Sequence, residues 1–218
     1  MEATTTLATC SNDLQVPMEI VTLVMVIALG AYALNARDQA RRIALLGRHL
    51  GRFQIEKLME NLTEGYLRAL GEADPERQGQ VMNLLRASET ELSAQFDRFV
   101  AEFARVDEAQ ARVSRLAWPF PYAVRLFPKA TFDMRKMLAV HAHGIADAVK
   151  NRQGLSTRDK AFTLSAELFL MQHSCHWFCR SRVVASARVL ARHKTSYEQL
   201  LASVAPRTRN AYQALISG

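Results

Sequence analysis

His173, Cys175, His176 and Cys179 fall within seven residues of one another in an otherwise apolar stretch. Thiolate and imidazole three or four residues apart share a helical face. On that spacing His176 and Cys179, with Cys175 about 40° away, could supply ligands to zinc, copper or haem iron. His141 and His143 offer a second source of ligands, with Asp133 and Asp147 nearby in sequence. The spacing is nevertheless not that of a zinc ribbon, and no CxxCH haem-attachment site occurs. Free cysteine is also among the most buried residue types. The expectation is core cysteines with hydrogen-bonded histidines and no cofactor. A metal- or redox-sensing domain built on the Cys/His cluster is the alternative.

Other chemistry leaves no signature. The chain has no P-loop, GxGxxG, GxSxG or HExxH. It also lacks the Glu-x-x-His pairs of di-iron bundles. Glu167 stands alone inside an apolar helix, and an arginine from a neighbouring helix is its expected partner. An enzyme at the membrane surface with His141 or His143 as base is a second alternative. The motif record leans toward a non-enzymatic protein.

Charge is unevenly spread. Residues 1–35 carry −3, residues 36–120 are neutral, and residues 121–218 carry +10, which together give the net +7. Of the 28 basic residues 22 are Arg, the better fork for phosphate and carboxylate, though abundant Arg and Ala also accompany a GC-rich, bacterial coding sequence. The densest stretch is Arg180–Lys194. Read as a helix, it sets Val183, Ala187 and Leu190 on one side and Arg182, Arg188 and Arg192 on the other, with Arg180 at its start. Such a face is simply solvated, or meets anionic lipid headgroups or an acidic protein. Nucleic acid is the least favoured partner beside a membrane.

The elements that must position these residues begin with Ile20–Leu34, fifteen residues without a charge. With its flanks this gives an anchor over 18–36, close to the roughly 20 residues a bilayer core requires. Arg37, Arg41, Arg42 and Arg48 follow it, and only acids precede it. The positive-inside rule then places residues 1–17 as a short extracytoplasmic tail and the rest in the cytoplasm at a bacterial inner membrane. Three cysteines, two of them four apart, fit a reducing compartment.

The rest reads as all-α. The anchor helix is expected to run unbroken to about Leu70. A second helix over Pro75–Arg115 should form a long hairpin or coiled-coil-like region with it, spanning 37–116. Its seam is Leu85, Leu92, Phe96, Phe99, Phe103, Val106 and Val113, with 4,3 spacing from residue 92. That seam, through Phe99 and Phe103, is a candidate docking face for a protein partner or a second copy of the chain. Pro119, Pro121 and Pro128 then forbid a helix over 116–130. Trp118, Phe120, Tyr122 and Phe127 make that segment a connector packed across the bundle or an aromatic–basic patch at the bilayer interface. A basic helical bundle over 117–218 closes the chain. It should hold a helix over 131–149, a central buried helix from Thr157 to about His193, and two short helices. The functional expectation is a membrane-anchored scaffold or accessory subunit docking on a protein partner.

Overall fold

No proline interrupts Met18–Leu50, and in the computed structural model, which describes residues 18–217, this stretch is one 33-residue helix, α1. The expected tail over 1–17, with Cys10, lies outside the described residues. The helix does not continue to Leu70. It ends at Gly51, whose N–H closes on the Gly47 carbonyl at 2.9 Å. The Gln95 side chain then accepts the Gln54 N–H at 2.7 Å and holds the turn. Helix α2 (Ile55–Leu70) follows, then α3 (Pro75–Phe103), with Asp74 capping the Glu76 N–H and Pro75 at the first helical position.

The hairpin of α2 and α3 is built by the expected seam. Leu92, Phe96, Phe99 and Phe103 are each at most 1% exposed. Helix α3 stops at Phe103 rather than Arg115, because Asp107 caps a new short helix, α4 (Glu108–Ala111), through the Ala109 N–H. Val106 and Val113 still reach the core, from the turn and from the strand β1 (Arg112–Ser114).

The proline segment leaves and returns through a strand pair that the sequence pattern did not suggest. Strand β1 pairs antiparallel with β2 (Thr131–Asp133), Val113 opposite Phe132. Between them lie a short helix, α5 (Ala123–Leu126), and a 3-10 turn over Pro128–Ala130. Three-residue strands are too short to show periodicity. The Arg115 N–H extends the ladder to Ala130 O at 2.8 Å, so the intervening loop is clamped at its base.

Asp133 then caps α6 (Met134–Val149), and Ser156 caps α7 (Thr157–Cys179). Helix α7 is apolar on every side and is the central element, with α6, α8 and α9 against it and the second half of α1 laid across it. It does not run to His193. Arg180 leaves the helical region, and Ser181 caps α8 (Arg182–His193). Helices α9 (Tyr197–Ser203) and α10 (Pro206–Ser217) complete the described chain.

One core unites these elements across residue 116, where the hairpin was expected to give way to the bundle. Phe103 on α3 meets Phe178 on α7 edge-on at 5.9 Å and His49 on α1 at 5.6 Å. Phe99 and Phe103 are therefore interior residues. Their expected role as a docking face for partners is corrected, since the seam is spent inside the chain.

Candidate functional site

The four residues of the Cys/His cluster are sent to different partners. His173 is fully buried, with Nε2 3.1 Å from the Ser186 hydroxyl and its ring stacked on Tyr197 at 4.7 Å. Burial, reinforced by His176 and Arg182, pulls its pKa down to about 4. The Cys175 thiol is buried against Met171 Sδ at 3.9 Å, and burial pushes its pKa up. Cys179 is half-buried and pushed up to about 11 by burial, against the pull of Arg42, Arg180 and Arg188. His176 Nδ1 faces the Arg188 guanidinium at 3.5 Å. Its pKa is lowered by burial and then by Arg188 and Arg192. Among the described residues no three His, Cys, Asp or Glu side chains converge as a metal site.

The second ligand source divides in the same way. His141 is sealed in the core, and its Nε2 lies 2.8 Å from Ser174 Oγ. That hydroxyl also lies 3.1 Å from the Leu170 carbonyl, one turn back along α7. Burial takes the His141 pKa down to about 3, so the ring stays neutral. The pair has the residue types of a nucleophile and base, but both side chains are out of reach of a substrate. His143 is exposed on the far side of α6. Asp133 holds Arg135, and Asp147 holds Arg152 and Arg207.

Among the described residues Glu167 meets no arginine, contrary to expectation. Its Oε1 accepts the Ala205 N–H at 3.0 Å, at the start of α10, where the helix dipole favours an anion. Thr208 lies beside it. Burial nevertheless dominates and raises its pKa to about 7. The room for this carboxylate is made by Gly144 on α6. A Cβ there would fall inside contact distance of both the carboxylate and the Thr208 hydroxyl.

The arginines of α8 are outward, but the phase of that helix is not the expected one. Ala185 and Val189 face the core, while Val183 and Leu190 are 37% and 53% exposed. Ala187 is exposed with them. Ala185 and Val189 mark the side on which α8 folds back against α7, so the apolar pattern alone misled. Arg182 lies over the Trp177 ring at 5.8 Å, and Arg192 reaches toward Glu60 at 3.8 Å.

A wide cleft of about 810 Å³ lies elsewhere, between α1 and the 115–130 loop. Its α1 wall begins at Asn35, directly after the apolar stretch, and continues through Gln39 and Arg41. Its opposite wall carries Trp118, Phe120 and Tyr122, and its floor is the end of α7. Arg42 staples α1 in place. Its Nε lies 2.9 Å from Asp38, its Nη1 donates to the Arg112 carbonyl at 2.9 Å, and its guanidinium lies over the Phe178 ring at 5.4 Å. The Trp177 indole N–H donates to the Ser114 carbonyl at 3.0 Å and fixes the floor to β1. Arg180 donates to Gln39 on α1. Trp118 is 73% exposed despite the clamped backbone around it.

A second cluster, Tyr66, Glu89 and Lys160, escaped sequence reasoning because its members stand on α2, α3 and α7. It borders a smaller cavity of about 330 Å³. No family model, curated protein or solved structure matches the chain.

Proposed function

We propose that this chain is a single-pass protein of a bacterial inner membrane, N-terminus outside, whose cytoplasmic helical domain is a non-enzymatic scaffold or accessory subunit. The observation that carries the reading is α1. Its apolar first half has mean hydropathy 1.8 and is 0% buried against the rest of the chain. Such a surface is too large to leave in water without a bilayer or another protein over it. Its second half is part of the core through Leu46 and the Arg42 staple. The arginines that follow the apolar stretch support a cytoplasmic domain.

With Phe99 and Phe103 buried, the candidate surface for a protein partner is the outer face of α8. There Val183, Ala187 and Leu190 lie among Arg182, Arg188 and Arg192, which suits an apolar-acidic patch. The metal-sensing alternative gains nothing from the geometry, because the cluster's side chains diverge to separate partners.

Carbonate washing of native membranes, with protease protection of a C-terminal tag, tests the anchor. Retention with a tag cleaved only from the cytoplasmic side is expected, and release into the wash would remove the reading. Pull-down in mild detergent tests the scaffold role. A stoichiometric partner lost on Val183→Glu with Leu190→Glu is expected, and a solitary protein would count against it.

A further inference from the structure

We infer that the cleft between α1 and the 115–130 loop binds the headgroup of an anionic phospholipid from the leaflet into which α1 inserts. The inference rests on the single-pass reading and deepens it. Position comes first. Asn35 opens the cleft wall one residue after Leu34, the last of the uncharged run, and Arg41 lies six residues further, about 9 Å along the helix. A ligand here sits at headgroup depth if residues 18–34 cross the bilayer.

Charge points to the same ligand. Three acids line the cleft, and each is already engaged. Asp38 pairs with Arg42, Glu108 with Arg112 and Arg135, and Asp107 caps α4. Five arginines line it, and Arg41, Arg125 and Arg180 have no carboxylate partner among the described residues. They come from α1, from α5 and from the α7–α8 junction, three separate elements facing one space. Guanidinium forks on several sides suit a phosphodiester, whose oxygens accept charge-assisted hydrogen bonds in pairs.

The loop decides between a lipid and a soluble phosphate. Trp118, Phe120, Leu126 and Phe127 are 47–73% exposed, side by side with the arginines. The strand pair clamps this loop, and Phe120 meets Phe127 edge-on at 6.3 Å, so the exposure is built into the fold. Trp and Phe beside Arg are the residues favoured where apolar tails give way to headgroups. A small soluble anion would leave that apolar rim in water.

The test uses the full chain purified in mild detergent. Lipid retained after incubation with phosphatidylglycerol or phosphatidylcholine is counted by native mass spectrometry. Preferential retention of phosphatidylglycerol is expected, falling about tenfold in the double variant Arg41→Gln and Arg180→Gln. Arg207→Gln on α10 should leave it unchanged. All three arginines are exposed, and a thermal melt confirms that the variants fold. Equal retention of the two lipids, or an equal loss in Arg207→Gln, overturns the site. Displacement of the lipid by millimolar inorganic phosphate overturns its assignment to lipid. Retention of the chain by carbonate-washed membranes without a phosphatidylglycerol preference removes the cleft alone. Release of the chain in carbonate removes the anchor reading as well.

Discussion

Lys160, in the first turn of α7, places its ammonium on Glu89 in the middle of α3, and the same carboxylate accepts the Tyr66 hydroxyl at 2.5 Å. The two charged side chains are only 16% and 6% exposed, so each depends on the other for solvation. Removing one leaves a buried charge, which costs about 3–5 kcal/mol. Lys160→Met should lose that much in denaturant titration, while Lys160→Met with Glu89→Gln should recover most of it. Equal losses in both variants would mean that packing, not charge, is at stake.

Phe103 on α3 touches both α1, through His49, and the central helix α7, through Phe178. Phe103→Ala should destabilise by about 3–5 kcal/mol, as for other large-to-small changes in a close-packed core. The oligomeric state, measured by light scattering, should not change. A shift in mass at unchanged stability would restore the seam as an interface.

Glu167 gives a stability term of its own sign. The folded state holds its proton up to about pH 7, the unfolded chain only to the usual carboxylate range. Its contribution is therefore intact in acid and lost as pH rises from about 4.5 through 7. Glu167→Gln should be more stable than the parent by up to about 3 kcal/mol at pH 8, with the gap closing by pH 5. A gap independent of pH would sink the assignment.

The buried histidines act in the opposite direction. His141 and His173 are held neutral down to about pH 3 and 4, whereas the unfolded chain protonates them near 6.5. Stability is lost as pH falls below about 6.5, and with two such groups this outweighs the Glu167 term. Melting temperature should drop steeply between pH 6 and 4. His173→Phe should flatten that slope; an unaltered slope would place the acid sensitivity elsewhere.

Gly144 has no room for a side chain beside Glu167 and Thr208. Gly144→Ala should cost about 1–3 kcal/mol through overpacking, despite the better helix propensity of alanine. A stabilised variant, read by thermal melt, would show that the carboxylate moves freely.

What the sequence made legible was whatever repeats locally. The 4,3 spacing of Leu92 to Phe103 announced α3, and Asp74-Pro75 and Ser156-x-x-Asp159 announced two caps. The breaks at Gly51 and Ser181 were missed because a single glycine or serine does not outweigh a continuing apolar pattern. Strands β1 and β2 are three residues each, so their pairing is a long-range event with no local trace. Trp118 and its aromatic neighbours could be named in advance, as could Arg41, Arg42 and Arg180, whereas Arg112 and Arg125 carried no signal of their own. The convergence of these residues on one cleft could not, because Gln39 and Arg180 meet only after the chain has folded. Glu167 failed for the same reason, its partner being a backbone N–H that no side-chain pattern reports.

Helix α1 runs without interruption through 33 residues, about 50 Å, from its bare end to its stapled end. It therefore has no joint. Whatever grips residues 18–34, a bilayer or a companion helix, also steers the domain, because a tilt or a twist applied at one end arrives at Arg42 and α7 as the same tilt or twist. The protein is mounted as a vane on its shaft, and its heading is set from outside the core.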